Sequence, residues 1–206
     1  MGIDTIVSPT LPPAGPAATP RMPGESAARQ CRAVFLDRDG VINQVFVRDG
    51  KPYAPMALEE FSIYADVPAA IERLKQAGYL TIVVTNQPDV ARGKVPRETI
   101  DALHARMHEL LPIDDCLVCP HDDGECGCRK PLPGMLLEAS EKHGIDLRRS
   151  VMVGDRWRDV DAGRNAGCQT VFIDRGYREQ LPEHPPHHVC SSLGAAVAWI
   201  LSEHRA

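Results

Sequence analysis

The sequence predicts an α/β fold, a doubly wound, mostly parallel sheet with helices on both faces. Two observations carry that prediction. From Cys31 onward, short apolar runs alternate with segments whose apolar residues recur at helical spacing. Three of the runs also end in polar signatures, at Asp37, Thr85 and Asp155. In a parallel sheet those ends share the carboxyl edge, where open α/β folds bind ligands.

Each element has its own reason. Residues 1–29 are rich in Pro, Ala, Ser, Thr and Gly and cannot bury enough surface to offset their ordering entropy, so they read as a disordered tail. Ala33 to Leu36 is a buried strand that stops at Asp37-Arg38-Asp39-Gly40. Asp66 caps a helix with Ala70, Ile71, Leu74 and Ala77 on one face and Gly78 past its end. Tyr79 to Val84 is a β-branched strand running into Thr85-Asn86-Gln87. Pro96 opens a second helix with Ile100, Leu103, Met107 and Leu110 along one stripe. Cys116 to Val118 is a short strand, and a third helix runs from Pro133-Gly134 to before Gly144. Ser150 to Val153 is a strand, Asp159 to Ala166 a helix closed by Gly167, and Thr170 to Ile173 a further strand. Leu193, Val197, Ile200 and Leu201 mark a C-terminal helix.

At 206 residues and 43% hydrophobic, the chain builds one core, so residues 30–206 are expected to form a single domain. A net charge of -5 argues against a nucleic-acid partner. No apolar stretch approaches the roughly 20 residues of a membrane span, and no charged region precedes an apolar leader. The expectation is a soluble, cytoplasmic protein. Of its seven cysteines, Cys116, Cys119, Cys126 and Cys128 crowd together while Cys31, Cys168 and Cys190 are scattered. An odd, clustered set suits metal binding in a reducing compartment, and the scattered three read as small buried hydrophobes.

Asp37 and Asp39 leave the strand end on the same side and repel each other, so they need a cation or a shared proton. A divalent metal with oxygen ligands answers that need, and Asp155 would complete its shell. A carboxylate can attack phosphorus, a neighbouring carboxyl can protonate the leaving oxygen, and a lysine such as Lys130 neutralises the charge that spreads. A hydroxyl and amides at Thr85, Asn86 and Gln87 would hold phosphoryl oxygens. Taken singly, Asp-x-Asp-Gly is an ordinary turn, Arg129-Lys130 a solvated basic pair and Asp159 a helix cap.

Together, Asp37-Arg38-Asp39-Gly40, Thr85-Asn86-Gln87, Arg129-Lys130-Pro131 and Gly154-Asp155-x-x-x-Asp159 resemble the four motifs of the haloacid-dehalogenase (HAD) phosphatase superfamily over residues 32–178. The resemblance implies a HAD-like Rossmannoid domain with Asp37 as nucleophile and Asp39 as general acid/base. It implies Thr85 and Lys130 steadying the phosphoryl group, and Mg²⁺ on Asp37, the Asp39 carbonyl and Asp155, with Asp159 outside the metal shell. It also implies a monomer. About 45 residues separate Gly40 from Thr85, and much of that span is helix and strand, so no large cap domain is expected.

Cys119-Pro-His121 and Cys126-Gly-Cys128 supply four ligands suited to a closed, tetrahedral structural Zn²⁺. Zinc-binding energies of ~10–16 kcal/mol in small peptides rival domain stabilities of ~5–15 kcal/mol, so metal alone would order this short loop. It runs directly into Arg129 and Lys130. With the zinc loop, the chain is similar to the branch holding the heptose-1,7-bisphosphate and histidinol-phosphate phosphatases.

Without a cap, loops must read the substrate: residues 44–62, residues 87–95 and the zinc loop. Tyr53, Asn86, Gln87, Arg129 and Arg156 are the expected contacts. Four residues between His121 and Cys126 make a loop of the histidinol-phosphate kind. Positive charge from Arg48, Lys51, Arg92 and Arg156 suits a second phosphate instead, and Pro88-Asp89-Val90 with Gly154-Asp155-Arg156-Trp157 resembles the sugar-phosphate side. A heptose bisphosphate is the expected substrate, with histidinol phosphate or another small phosphorylated sugar as the alternative. A zinc-stabilised binding module of retired activity predicts a lost nucleophile or lysine, and both are present. A phosphotransferase would need a cap to keep water from the intermediate.

Overall fold

The computed structural model describes residues 31–203, so the expected disordered tail lies outside the described residues. The chain forms β1 (Arg32–Leu36), a hairpin of β2 (Phe46–Arg48) and β3 (Lys51–Tyr53), α1 (Val67–Gln76) and β4 (Tyr79–Asn86). There follow α2 (Pro88–Ala91), α3 (Arg97–Leu110), β5 (Asp115–Cys119), α4 (Gly134–His143) and β6 (Val151–Gly154). The last elements are α5 (Trp157–Ala166), β7 (Gln169–Ile173), β8 (His188–Cys190) and α6 (Leu193–Glu203).

Six strands form one sheet in the order β5-β4-β1-β6-β7-β8, and every pairing in it is parallel. Side chains alternate across the strands, which divides the apolar interior in two. Val34, Leu36, Val83, Val151 and Val153 pack with Ile71 and Leu74 of α1 and with Val197 and Ile200 of α6. Ala33, Phe35, Ile82, Val84 and Met152 face the other way, onto Leu136 and Ala139 of α4 and Ala162 of α5. The sheet is therefore doubly wound, as the alternation predicts, and no large cap domain interrupts it.

Some details differ from expectation. Asp66 gives α1 no side-chain bond; its carboxylate accepts instead from Gly194 N at 2.8 Å, in the first turn of α6. The two helices share one face of the sheet, so the acid serves the neighbour's unpaired amide. Leu110 is 45% exposed because Leu111, only 2% exposed, takes the inward place after Met107. Cys31 is exposed and Cys190 only half-buried, whereas Cys168 is buried as expected. The loop after the first motif contains the β2–β3 hairpin, turned by Asp49 (φ 52°) and Gly50 (φ 77°) and pairing Phe46 with Tyr53. The short strand β8 pairs beside β7.

Candidate active site

Three adjacent strands deliver the site. The carboxyl ends of β4, β1 and β6 bring Thr85, Asp37 and Asp155 to one edge of the sheet. Asp37 is anchored by its own N–H, which donates to Val153 O at 3.0 Å. Gly40 (φ +89°) follows because a Cβ there would lie 1.8 Å from Asp155 Oδ2, so the main chain after β1 lies directly against that carboxylate. Gly154 is required in the same way, with Asp159 Cβ 2.1 Å from where its own Cβ would stand.

Lys130 reaches this edge buried, only 2% exposed. Its ammonium donates to Asp37 Oδ1 at 2.8 Å and to Val84 O at 2.8 Å, and it pairs with Asp159 Oδ1 at 2.6 Å. The other Asp159 oxygen accepts from Arg156 N at 3.0 Å, closing the first turn of α5. Asp159 is thus both a helix-capping residue and the lysine's second anchor.

Burial raises the Asp37 carboxyl to about 6, with Lys130 opposing and Asp159 and Asp39 adding to the rise. Burial, then the charges of Asp37 and Asp159, push Asp155 well above the usual carboxylate range. Both Asp155 oxygens are buried without a well-formed hydrogen bond, with the Tyr177 hydroxyl as their polar neighbour. Ligand atoms of Asp37, Asp155 and Asp159 lie within 4.8 Å of one another. Three buried carboxylates brought together, only two of them paired with Lys130, make a donor set that fits a hard divalent cation such as Mg²⁺.

Asp39 points elsewhere. Its carboxylate accepts from Arg38 Nη2 at 2.9 Å, Asn43 Nδ2 at 3.0 Å and Gln87 Nε2 at 2.8 Å. The same Gln87 nitrogen donates to Thr85 Oγ1 at 2.8 Å, tying the acid to the hydroxyl expected to hold phosphate.

Several expected substrate contacts have other partners. The Asn86 side chain is spent on Lys130, donating to its carbonyl at 3.0 Å and accepting from its N–H at 3.1 Å. Gln87 N donates to Cys119 O, so that amide is not free for a phosphoryl oxygen. Arg129, 8% exposed, turns into the zinc loop, where it donates to Asp123 Oδ1 at 2.7 Å and His121 O at 3.1 Å. Its neighbours in sequence are metal-type ligands, and their acidic loop captures it before the cleft does.

The cleft over the site has a volume of about 430 Å³. Asp37, Asp39, Asn86, Gln87 and Lys130 reach it, and its walls carry Tyr53, Arg48, Arg92, Lys94, Arg156 and Arg158. Lys51 is not among its lining residues. Arg48 stands over the Tyr53 ring at 5.7 Å, while Arg156 is paired with Glu179. Arg38 and Asn43, which hold Asp39, were not anticipated; the Arg between two motif aspartates was the available signal.

Beside the cleft, Cys119 Sγ lies 3.5 Å from Cys126 Sγ and 3.7 Å from His121 Nδ1. Cys128 Sγ lies 3.2 Å from Cys126 Sγ and 3.6 Å from His121 Nδ1. Ligands tetrahedrally placed at zinc bond lengths stand about 3.6–3.8 Å apart. The four atoms fit Zn²⁺, and Cys116 is left outside the cluster, packed against the core on the α1 and α6 side.

Comparison with known proteins bears on this geometry. Residues 127–196 match the HAD-hydrolase-like family. The D-glycero-D-manno-heptose-1,7-bisphosphate 7-phosphatase of Thermosynechococcus vestitus is 35% identical over 191 residues, covering 82% of this chain and 94% of the relative. This chain belongs to the heptose-bisphosphate phosphatase family of HAD-like hydrolases. The family's Pseudomonas aeruginosa member is 41% identical over 150 residues, 69% of this chain and 81% of the relative. A crystal structure of the family's B. bronchiseptica enzyme, complexed with magnesium and phosphate, is 34% identical with a TM-score of 0.72, covering 84% of this chain and 99% of that one.

Proposed function

We propose that this protein is a Mg²⁺-dependent phosphatase that removes the 7-phosphate of D-glycero-D-manno-heptose 1,7-bisphosphate through an aspartyl phosphate on Asp37. The observation that carries the chemistry is the buried Lys130 ammonium 2.8 Å from Asp37, whose carboxylate lies beside the buried carboxylate of Asp155.

Asp37 attacks phosphorus as the P–O bond to the leaving sugar oxygen breaks, and Asp39 supplies that oxygen with its proton. A water then attacks the aspartyl phosphate, gives its proton to Asp39 and releases Asp37 with inorganic phosphate. Thr85 and Lys130 hold the phosphoryl oxygens, with Lys130 kept in place by Asp159. Asp37, the Asp39 carbonyl and Asp155 would hold Mg²⁺, which when bound supplies charge neutralisation at the phosphoryl oxygens. Cys119, His121, Cys126 and Cys128 would hold a structural Zn²⁺.

The basic walls support the bisphosphate. Arg48 has no carboxylate partner among the described residues, and Lys94 and Arg158 stand with it around the cleft. A second phosphate complements that charge, whereas a histidinol cation would be repelled. Residues 30–206 act as one catalytic domain, monomeric and cytoplasmic, with no nucleic-acid or membrane partner; no described helix is long and apolar enough to cross a membrane. Tyr53, Arg156 and the main chain at Asn86 remain the proposed substrate contacts, with Gln87 acting through Asp39 and Thr85 and Arg129 through the zinc loop.

The test is phosphate release with Mg²⁺ from heptose 1,7-bisphosphate, fructose 1,6-bisphosphate and histidinol phosphate. A kcat/KM for the heptose far above the others supports the assignment. Preference for histidinol phosphate overturns the substrate, and silence in all three overturns the activity.

A further inference from the structure

His104 takes no part in the chemistry above, yet it is a nearly buried titratable group one side chain removed from Asp39. It lies on α3, 8% exposed, on the helix whose Ile100, Leu103 and Met107 are buried in the interior. Its Nε2 sits 2.9 Å from Nη1 of Arg38, a side chain with no solvent exposure. The rest of that guanidinium is turned on Asp39, through Nε at 3.2 Å from Oδ1 and Nη2 at 3.0 and 2.9 Å from the two oxygens.

A guanidinium only donates, so Nε2 of His104 must accept, and the imidazole must carry its proton on Nδ1. Burial, and after it the Arg38 charge, hold His104 down at about 4, which keeps that ring neutral and accepting. Arg38 adjoins Asp39 in the chain, and a flexible side chain so close can reach its neighbour in several ways. Fixing Nη1 from a packed helix selects one of them, and with it one orientation of the Asp39 carboxylate.

We propose that His104 is a positioning residue for proton transfer to the leaving group, acting through Arg38 to aim Asp39. This rests on the phosphatase reading. The step concerned is the one in which the phosphorus–oxygen bond to the leaving group breaks, the Asp37–phosphorus bond forms, and the proton on Asp39 passes to the departing oxygen.

Leaving-group dependence tests it. p-Nitrophenolate departs without a proton, whereas a sugar alkoxide requires one. His104→Leu removes the acceptor at similar volume and is expected to lower kcat/KM for heptose 1,7-bisphosphate by about 10- to 100-fold while leaving kcat/KM for p-nitrophenyl phosphate within about threefold. The reason is that kcat/KM reports only the steps up to departure of the leaving group, before water gives its proton to Asp39. His104→Gln restores an acceptor and is expected to recover most of the loss. A merely structural role lowers both substrates together, and an unchanged ratio of the two in His104→Leu overturns the proposal. If the leucine variant does not fold, ¹⁵N NMR of wild-type His104 decides: an Nδ1–H tautomer supports the proposal and an Nε2–H tautomer contradicts it. A wild-type protein that hydrolyses neither ester overturns the phosphatase reading and this inference with it, whereas an active wild type with an unchanged ratio overturns this inference alone.

Discussion

The Lys130 ammonium lies 2.8 Å from Asp37 Oδ1, and the two side chains are 2% and 10% exposed. In so dry a setting each controls the other's charge, since removing one leaves an uncompensated ion. Lys130 opposes the rise that burial imposes on Asp37. Lys130→Met is therefore expected to lower kcat by about 10²–10³-fold and to move the acidic limb of the rate profile to higher pH. Rates across pH, with circular dichroism to verify folding, measure both effects.

Metal and pH should act together on stability. The folded pKa of Asp37 is raised from 3.8 to about 6, and Asp155 is raised as well. A raised carboxyl favours the folded state while protonated, so this contribution is present below about pH 4 and is lost as pH rises through about 6. A cation at these carboxylates offsets the loss. Mg²⁺ should raise the melting temperature clearly at pH 8 and little at pH 5, as read by thermal melts with and without the ion.

The zinc loop connects to the cleft through two acids. Asp122 accepts from Arg92 Nε at 2.7 Å, while Asp123 Oδ1 accepts from Arg129 at 2.7 Å and from Arg158 at 3.1 Å. Cys126→Ser should release zinc, loosen all three arginines and raise KM more than it lowers kcat. Metal analysis and steady-state kinetics on the same preparation check this.

Among the described residues, Arg48 stands in the cleft wall without a carboxylate partner. Arg48→Ala should raise KM for a bisphosphate about tenfold or more, the worth of one hydrogen bond to a charged group. A monophosphate of the same sugar should be much less affected.

Much of this was legible in the chain. The alternation of Ala33 and Phe35 with Val34 and Leu36 fits burial on both faces, and Asp37, Thr85 and Asp155 do meet at one edge. Asp49-Gly50 between strand-like residues also signals the β2–β3 hairpin, within the span 44–62 expected to be loop. The three-residue strand β8 holds one apolar side chain besides Cys190, too little for a periodic signal. Side-chain destinations were harder. Asn86 and Arg129 carry the groups a phosphate ligand needs, yet their partners, Lys130 and Asp123, are fixed by loop paths that spacing does not encode. Asp66 read as the cap of its own helix because the sequence does not reveal that α6 packs beside it.

The central claim is a covalent intermediate on Asp37. Acid-quenched enzyme taken during turnover, reduced with borohydride and mapped by mass spectrometry, tests it directly. The account predicts homoserine at position 37, and Mg²⁺-dependent phosphate release that disappears in Asp37→Asn. Phosphate release with no modification at position 37, or an Asp37→Asn variant that keeps Mg²⁺-dependent turnover, would contradict it.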